Sequence, residues 1–109
     1  MENITFDDFE KLDIRIGTIL SAERVPETDK LLALSVALGE ETRTIVSGIA
    51  QYFPEPEVLI GRQVPVLVNL KPRTIKGVES RGMVLYVVGE GFLTTLEPSR
   101  QADNGVSVK

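Results

Sequence analysis

The stretch from Leu12 to Ser21, which reads LDIRIGTILS, decides the fold class. Apolar or β-branched residues occupy every second position of it, at Leu12, Ile14, Ile16, Thr18 and Leu20. A period of two is typical of a β-strand that turns one face to a core. Gly17, in the middle, permits the bend or bulge by which one long strand serves both sides of a small barrel.

Three more segments between residues 32 and 70 carry the same alternation. Leu32 to Leu38 places large apolar residues on one face, and Thr42 to Ser47 follows a tight connection at residues 39–41, so these two segments predict a hairpin. Val64 to Leu70 predicts a fourth strand, in which Pro65 indicates an edge position or a bulge.

The C-terminal part of the chain continues as strand and turn. Met83 to Val88 predicts a fifth strand that is apolar on both faces, and Phe92 to Leu96 predicts a shorter one. A polar tail follows, in which Asn104-Gly105 indicates a turn before a closing alternation at Val106 and Val108.

Helix signals are confined to two short segments. Thr5 is a good N-cap, Asp8 stands at the third helical position as in a capping box, and Ile4 can meet Phe9 as a hydrophobic staple. Between the third and fourth strands, residues 49–60 break the strand rhythm and predict a short helical insert. Three apolar residues of this insert are expected to dock on the barrel: Val58, Leu59 and Ile60.

Five main strands with a helical insert between the third and fourth are the order of an OB-fold, a small barrel with few free sheet edges. The sequence therefore predicts one all-β domain over residues 1–109. This domain is an OB-fold five-stranded barrel with a short N-terminal helix, a short helical insert between strands 3 and 4, and a C-terminal extension.

The 109-residue chain contains no cysteine and no histidine. It therefore lacks the usual zinc ligands, a thiolate nucleophile and the commonest general base at neutral pH. An enzyme is disfavoured on this ground, and no cofactor or metal site is predicted. Since no apolar run reaches the roughly 18–20 residues that cross a bilayer and no signal peptide is apparent, we expect a cytoplasmic protein that does not enter a membrane.

Charge is distributed unevenly along the chain. The net charge is −4, and residues 1–60 carry twelve acidic against five basic residues. Between Asn69 and Met83 the balance reverses, with the single acid Glu79 against four bases: Lys71, Arg73, Lys76 and Arg81. A local basic site on an acidic body favours a partner whose shape fits the site over polyanions in general. An ordinary charged loop is the alternative interpretation.

The basic segment has the composition of a stiff loop that binds phosphates. Pro72 fixes its own φ and restricts Lys71 to extended geometry, so Lys71 and Arg73 are held apart. Lysine and arginine bind phosphates, and a guanidinium also stacks on a base. Ser80 can donate to a phosphate or a base edge, and Met83 offers a polarizable surface to an unstacked base.

Four sequence motifs carry a family resemblance: F-x-x-LDIRIG at Phe9 to Gly17, DKLL at Asp29 to Leu32, RTIVSGIA at Arg43 to Ala50 and NLKPR at Asn69 to Arg73. In this order and spacing they resemble the tRNA-binding domain appended to the C-terminus of many methionyl-tRNA synthetases. The same domain occurs as a separate β subunit of the synthetase and in stand-alone tRNA-binding proteins.

The resemblance implies an OB-fold, a homodimer built partly from terminal elements, and recognition of folded tRNA by shape. It also implies the catalytic subunit of methionyl-tRNA synthetase as a partner. By matching motif positions, it places tRNA contacts at Lys30, Asn69, Lys71, Arg73, Ser80 and Met83, with Arg43 and Lys76 as neighbours. Arg81 stands where the family often has glutamine, and we count it among the candidate contacts.

Several candidates also have a structural interpretation. Lys30 can be a solvated turn residue, Met83 a core residue, Ser80 a residue that holds the loop through a local backbone bond, and Asn69 a turn cap. Two other functions compete with tRNA binding, namely a secretion-type chaperone of the same fold that binds unfolded peptide, and an enzyme that uses carboxylates. Nothing in the sequence brings two carboxylates together in a cleft, so the enzyme ranks last. The family resemblance makes a non-catalytic tRNA-binding module the leading hypothesis, with the chaperone as its alternative.

Overall fold

The computed structural model describes residues 1–109 as a mostly β structure with little helix. One α-helix, α1 (Phe6–Glu10), precedes ten strands. The strands are β1 (Ile14–Arg24), β2 (Leu32–Ala37), β3 (Thr42–Ser47), β4 (Gln63–Leu67), β5 (Arg73–Ile75), β6 (Val78–Ser80), β7 (Met83–Val84), β8 (Tyr86–Gly89), β9 (Phe92–Thr95) and β10 (Ser107–Val108). Two 3₁₀ turns, at Ala50–Tyr52 and Pro56–Leu59, lie between β3 and β4.

Six strands form one curled antiparallel sheet in the order β3-β2-β1-β4-β7, with β10 paired to β1. Strand β1 is shared, since residues 14–18 pair with β4 and residues 18–24 pair with β2. The sheet curls until its two edge strands, β3 and β7, contact each other. The predicted OB-like, all-β fold is thereby confirmed, and one long strand serves both sides of the barrel as expected.

The burial pattern of β1 departs from the predicted alternation, and the strand contains a bulge at Leu20. The pairing with β2 shifts between Ile19 and Ser21, so Leu20 has no partner on β2. Ile16 and Ile19 are buried, whereas Leu20 is exposed and does not continue the predicted apolar face. The buried positions change from even to odd between Ile16 and Ile19, before the bulge, so a single period of two does not describe the strand where its pairing passes from β4 to β2.

Gly17 serves close packing. A Cβ atom at this position would lie 2.6 Å from Cγ1 of Val36 and 2.9 Å from the carbonyl oxygen of Ala37. Glycine therefore lets β1 approach β2 more closely than any other residue would. Strands β2 and β3 form the predicted hairpin, and the four large residues of β2 and its end are buried in the core: Leu32, Leu34, Val36 and Leu38.

Helix α1 begins as the sequence predicts. Thr5 Oγ1 accepts a hydrogen bond from the N–H of Asp8 at 3.1 Å, and the Asp8 carboxylate accepts one from the N–H of Thr5 at 3.4 Å. The aromatic rings of Phe6 and Phe9 lie with their centroids 6.3 Å apart. No residue of the helix is buried, so α1 lies on the surface of the domain.

The helical insert lies where it was predicted, but it docks through fewer residues. Of the three apolar residues expected on the barrel, only Leu59 is buried, whereas Val58 and Ile60 are exposed. A 3₁₀ turn has three residues per turn, so neighbouring side chains of so short a segment point in different directions.

Pro65 lies in a strand that is paired on both sides, which corrects the predicted edge position. Strand β4 runs between β1 and β7, and Pro65 faces Ile16 of β1. The carbonyl of Pro65 accepts a hydrogen bond from the N–H of Leu85, on the β7 side of the strand. The nitrogen and carbonyl of one strand residue point to the same side, so the nitrogen of Pro65 also faces β7. Pairing of β4 with β7 is limited to Val66 and Leu67. The missing N–H falls just beyond the end of this short ladder, which is why proline is tolerated.

The basic segment contains a hairpin where a loop was predicted. Strands β5 and β6 pair with each other in a separate two-stranded sheet. The predicted strand from Met83 to Val88 is also divided at Leu85 into β7 and β8, and β8 forms a second hairpin with β9. Strands of two to four residues are too short for an alternating pattern to reveal them.

Candidate nucleic-acid interface

The hairpin β5–β6 is closed by a tight two-residue turn. Arg73 pairs with Ser80 and Ile75 pairs with Val78, which leaves Lys76-Gly77 as the loop. Both loop residues have positive φ, 50° at Lys76 and 81° at Gly77. Positive φ at both positions is the requirement of the type I′ turn, whose twist matches that of the flanking strands. The turn fixes the tip of the hairpin and places Lys76 at it.

The hairpin is attached to the edge of the main sheet by β6 and the residue after it. Ser80 is buried, and its Oγ accepts a hydrogen bond from the N–H of Val46 in β3 at 3.0 Å. The N–H of Arg81 donates to the carbonyl of Thr44 at 2.9 Å. The side chain of Ser80 thus holds the segment through a bond to the backbone of a distant strand, where its structural interpretation expected a local backbone bond. A contact of Ser80 with RNA stays a prediction.

A hollow of about 90 Å³, the hairpin hollow, opens beside these contacts. Its lining residues are Val46, Leu70, Lys71, Arg73, Ile75, Ser80, Gly82 and Met83. Met83 is 44% exposed and therefore lies at the surface. Its alternative interpretation as a core residue, suggested by the apolar residues that follow it in sequence, is wrong. The structure therefore brings together four of the predicted contacts, Lys71, Arg73, Ser80 and Met83.

Gly82 is required by the backbone at the floor of the hairpin hollow. Its φ is +123°, and a Cβ atom on it would lie 3.0 Å from the carbonyl oxygen of Leu67. A side chain would therefore meet both backbone strain and a close contact with β4.

Four cationic side chains on and beside the hairpin are exposed: Lys71, Arg73, Lys76 and Arg81. The ion pairs of the molecule join Lys11 to Asp8, Arg15 to Asp13, Arg43 to Glu41 and Arg62 to Glu97, so none of them involves these four residues. Glu79, the one acid of the segment, is also outside every ion pair. The hairpin therefore presents unpaired positive charge on an otherwise acidic chain.

Asn69 lies just before the hairpin segment, and its side chain is used within the molecule. Its Oδ1 accepts from the N–H of Asp13 at 2.9 Å, and its Nδ2 donates to the carbonyl of Lys11 at 2.6 Å. We call these two bonds the Asn69 clip. The clip joins the end of β4 to the chain that follows α1, a role that differs from the turn cap suggested by the sequence.

Arg43 lies in a separate cleft of about 190 Å³, whose lining includes Arg15, Glu41, Val68 and Asn69. Its Nε donates to Glu41 at 2.7 Å and its Nη1 donates to the carbonyl of Val68 at 2.6 Å. The side chain of Arg43 is only 16% exposed, and it holds Val68, the residue that follows β4.

A second ion pair lies at the same cleft. The guanidinium of Arg15 donates to both carboxylate oxygens of Asp13, at 2.9 and 3.1 Å. These hydrogen bonds lower the pKa of Asp13 below its usual value. Arg15 is therefore paired, in contrast to the cations of the hairpin.

Lys30 lies outside the hairpin hollow and the Arg43 cleft. It is exposed just before β2, and its carbonyl accepts from the N–H of Ala50 at 3.0 Å. Neither its predicted contact with RNA nor its interpretation as a solvated turn residue is tested by this position.

Sequence reasoning missed the apolar floor of the hairpin hollow. Leu70, Ile75 and Val46 line it, but they are separated in sequence and carry no charge that would mark them. The glycine of Lys76-Gly77 is a turn signal of the kind that closes a hairpin, and it could have revealed β5 and β6.

Two further properties of the whole chain bear on its chemistry. No group of three or more His, Cys, Asp or Glu side chains is arranged to hold a metal ion. No helix is long and apolar enough to span a membrane.

The chain is similar to known proteins over nearly its whole length. Residues 14–107 match the family described as "Putative tRNA binding domain". A methionine–tRNA ligase of Flavobacterium johnsoniae is 54% identical over 106 residues, which are 96% of this chain and 15% of that protein. The chain therefore spans about 15% of the length of this curated relative, and the resemblance predicted from the four motifs is confirmed.

Two solved structures resemble the fold over its whole length. The MetRS-related protein from Pyrococcus horikoshii has a TM-score of 0.93 at 37% identity, with 100% of both chains covered. The chaperone CsaA from Bacillus anthracis has a TM-score of 0.88 at 32% identity, with 99% of this chain and 100% of that chain covered.

Proposed function

Because the chain belongs to the family of putative tRNA-binding domains, we propose that it is a non-catalytic module that binds folded tRNA through the hairpin β5–β6. One observation carries the proposal. The four cations Lys71, Arg73, Lys76 and Arg81 are exposed around one hairpin and take part in none of the ion pairs of the molecule.

Unpaired cations suit phosphate binding because no internal ion pair has to break first. Each phosphate that they neutralise releases counterions, so affinity falls as salt rises. Four such contacts give a log–log slope of about −3, at roughly 0.7 per contact.

The hairpin hollow adds a contact of a different kind. Met83 is 44% exposed at a hollow that Leu70 and Ile75 also line, next to Lys71 and Arg73. A polarizable apolar surface beside cations suits an unstacked base flanked by phosphates, which folded RNA offers at its loops. Lys30 is proposed as an outer contact because it matches a motif position of the family, whereas the guanidinium of Arg43 is already bound to Glu41 and to the carbonyl of Val68.

The proposed partner is methionyl-tRNA synthetase, either as a polypeptide of which this domain is part or as a separate catalytic subunit. A module of this kind raises the local concentration of tRNA by adding contacts, and it does not take part in the chemical step. The curated relative from Flavobacterium johnsoniae is named a methionine–tRNA ligase, and the match covers 15% of it. We place this activity in the cytoplasm, where tRNA is charged.

We propose in addition that the module is a homodimer. Helix α1 buries no residue in the single chain, and Phe6, Phe9, Leu12 and Val108 line an apolar groove between α1 and the C-terminus of about 350 Å³. A second copy would cover this groove. Light scattering at micromolar concentration is expected to give the mass of a dimer, and the mass of a monomer would contradict this part of the proposal.

The main experiment compares binding of bulk tRNA, an unstructured RNA and a DNA duplex by gel shift over a range of salt. We expect preference for tRNA and a log–log slope of about −3. Reversing both charges in Lys71→Glu/Arg73→Glu is expected to abolish tRNA binding with little change in melting temperature, because both side chains are exposed.

A matched control carries the same change in net charge away from the hairpin. Arg24→Glu/Arg100→Glu reverses two other exposed cations, of which Arg24 donates to the carbonyl of Pro54, and it is expected to retain most of the tRNA affinity. Equal loss of binding by the two double variants would indicate a general charge effect. Unfolding of the Lys71→Glu/Arg73→Glu variant would instead make the segment structural.

A chaperone is the second candidate. The structure of a protein named chaperone CsaA resembles the chain at 32% identity, and the hairpin β8–β9 carries three exposed apolar residues, Val87, Val88 and Phe92. Binding of an unfolded apolar peptide would depend little on salt. A flat salt response, together with binding of such a peptide at affinity above that for tRNA, would favour this candidate.

A further inference from the structure

The segment from Leu70 to Pro72, which we call the Lys71 segment, lies between two residues that are held by hydrogen bonds or strand pairing, Asn69 and Arg73. Leu70, Lys71 and Pro72 take part in none of the hydrogen bonds of the molecule. Before them, Asn69 is held by the Asn69 clip. After them, Arg73 pairs with Ser80, which is itself bound to β3.

This arrangement makes the position of Lys71 depend on its two anchors. A residue spans at most about 3.3–3.6 Å of extended chain, so Lys71 lies no more than about 7 Å along the chain from either anchor. Pro72 restricts the backbone of Lys71 and stiffens the span. A shift of Asn69 is therefore transmitted to Lys71 and is not absorbed between them.

The anchor at Asn69 is built from several bonds to other parts of the chain. The N–H of Val68 donates to the carbonyl of Asp13 at 2.9 Å, and the carbonyl of Val68 accepts from Arg43 at 2.6 Å. The Asn69 clip then extends the attachment to Lys11, the C-cap residue that follows α1.

We propose that Asn69 is a positioning residue for tRNA binding, which fixes the start of the Lys71 segment to the end of α1 and does not itself contact RNA. The proposal rests on the proposed function, because it concerns the same site. It differs from the role that the family resemblance gave to Asn69. An asparagine that reads RNA as a bidentate group uses both its oxygen and its nitrogen, and here both are bound to the chain.

The test is hydrogen exchange of the Asp13 amide, the donor to Asn69 Oδ1, measured by NMR with and without saturating bulk tRNA. A positioning residue keeps its clip in the complex, so exchange is expected to be no faster with tRNA than without. Faster exchange of the Asp13 amide in the complex means that Asn69 leaves the clip on binding, and it would overturn the proposal.

The second measurement uses Asn69→Ala with Asn104→Ala as the matched control. Asn104 also clips two parts of the chain, since its Oδ1 accepts from Thr18 Oγ1 at 2.7 Å and from Gln63 Nε2 at 3.2 Å. Both variants lose carboxamide bonds, but only Asn69 lies next to the Lys71 segment. The dissociation constant for tRNA is measured at a temperature where circular dichroism shows both to be folded.

We expect Asn69→Ala to weaken tRNA binding about 3- to 10-fold, because the freed Lys71 segment has to be ordered when the complex forms. Its Asp13 amide is expected to exchange faster in the free protein. Asn104→Ala is expected to change affinity by less than about twofold. Equal weakening by both variants would overturn the proposal.

A third result concerns the proposed function itself. If the wild-type protein binds no tRNA, the proposed function fails, and this result is distinct from faster exchange of the Asp13 amide and from equal weakening by both variants. If Asn69→Ala does not fold, the exchange experiment on the wild-type protein still decides.

Discussion

The Oγ atom of Ser80 accepts a hydrogen bond from the backbone N–H of Val46 at 3.0 Å, across the gap between the hairpin and the edge of the main sheet. A serine hydroxyl here takes the place of the strand carbonyl that an ordinary β-ladder would provide. Together with the bond from the N–H of Arg81 to Thr44, it covers the outer edge of β3. The joint between barrel and hairpin therefore combines one bond to a side-chain oxygen with one bond between backbone groups.

Replacing Ser80 by alanine is expected to lower the free energy of unfolding by about 1–3 kcal/mol, because the N–H of Val46 is left without its partner. The change is measured by urea denaturation. Ser99→Ala, at an exposed serine without a side-chain hydrogen bond, is the control and is expected to cost less than about 0.5 kcal/mol. If the two variants are equally stable, the Ser80 bond contributes nothing.

Gly82→Ala is expected to destabilise the domain by about 2 kcal/mol or more. The backbone there has a φ of +123°, and the new Cβ would lie 3.0 Å from the carbonyl oxygen of Leu67. Gly48→Ala is the control, because a Cβ at Gly48 meets nothing within 4 Å and its φ is not positive. Thermal unfolding of both variants checks the prediction, which fails if their melting temperatures agree.

Lys76→Asn separates the charge at the hairpin tip from its geometry. Asparagine tolerates positive φ better than lysine and, before Gly77, completes an Asn-Gly type I′ turn, so stability is expected to be unchanged or slightly higher. If Lys76 contacts a phosphate, the salt slope of tRNA binding should fall by about 0.7. An unchanged slope and affinity would show that the tip does not touch the nucleic acid.

The counterpart Lys76→Val tests the turn itself. A β-branched residue at a φ of 50° is strained, so the free energy of unfolding should fall by about 1 kcal/mol or more while the charge change is the same as in Lys76→Asn. Urea denaturation of the two variants side by side gives the comparison. Equal stability would mean that the type I′ turn is not maintained in solution.

Tyr86 makes stability depend on alkaline pH. Burial raises the pKa of its phenol from 10.0 to about 12, against the opposing effect of its hydrogen bond to Ser47. Between these values the folded chain keeps a proton that the unfolded chain has lost, so the contribution to stability is present below pH 10 and is lost as pH rises towards 12. The slope is at most about 1.4 kcal/mol per pH unit.

The measurement compares wild-type protein with Tyr86→Phe by denaturant unfolding between pH 9 and pH 12. Other groups titrate in both proteins, so the difference between the two curves isolates the phenol. The wild-type curve is expected to fall more steeply. Parallel curves would contradict the burial of the phenol.

The long strands were predictable because their side chains obey a local period. Leu32 to Leu38 alternates between core and surface without interruption, and the capping box of Thr5 and Asp8 is complete within four residues. The bulge at Leu20 was not predictable, since nothing in LDIRIGTILS states where the partner strand skips a residue. Pro65 misled for a similar reason: its tolerance depends on where the β4–β7 ladder stops.

The candidate site was predictable in its charges and not in its supports. Lys71, Arg73 and Lys76 are exposed, and their positive charge alone indicates that they can bind phosphates. Asn69 and Arg43 are also polar, yet their side chains bind main-chain atoms up to 58 residues away in sequence. A single sequence does not reveal which polar side chains are used within the fold, because the partners are backbone groups that every residue has.

The two-residue turn at Lys76-Gly77 limits how this hairpin can change in length. Successive side chains of a strand point to opposite faces. Adding one residue to each of β5 and β6, the two arms of the hairpin, would therefore turn the Lys76-Gly77 tip to the opposite face of the hairpin, and adding two residues to each would restore its orientation. Each added residue would also carry the tip about 3.3 Å further from the barrel. Relatives that reach a deeper feature of their ligand are therefore expected to have arms longer by even numbers of residues.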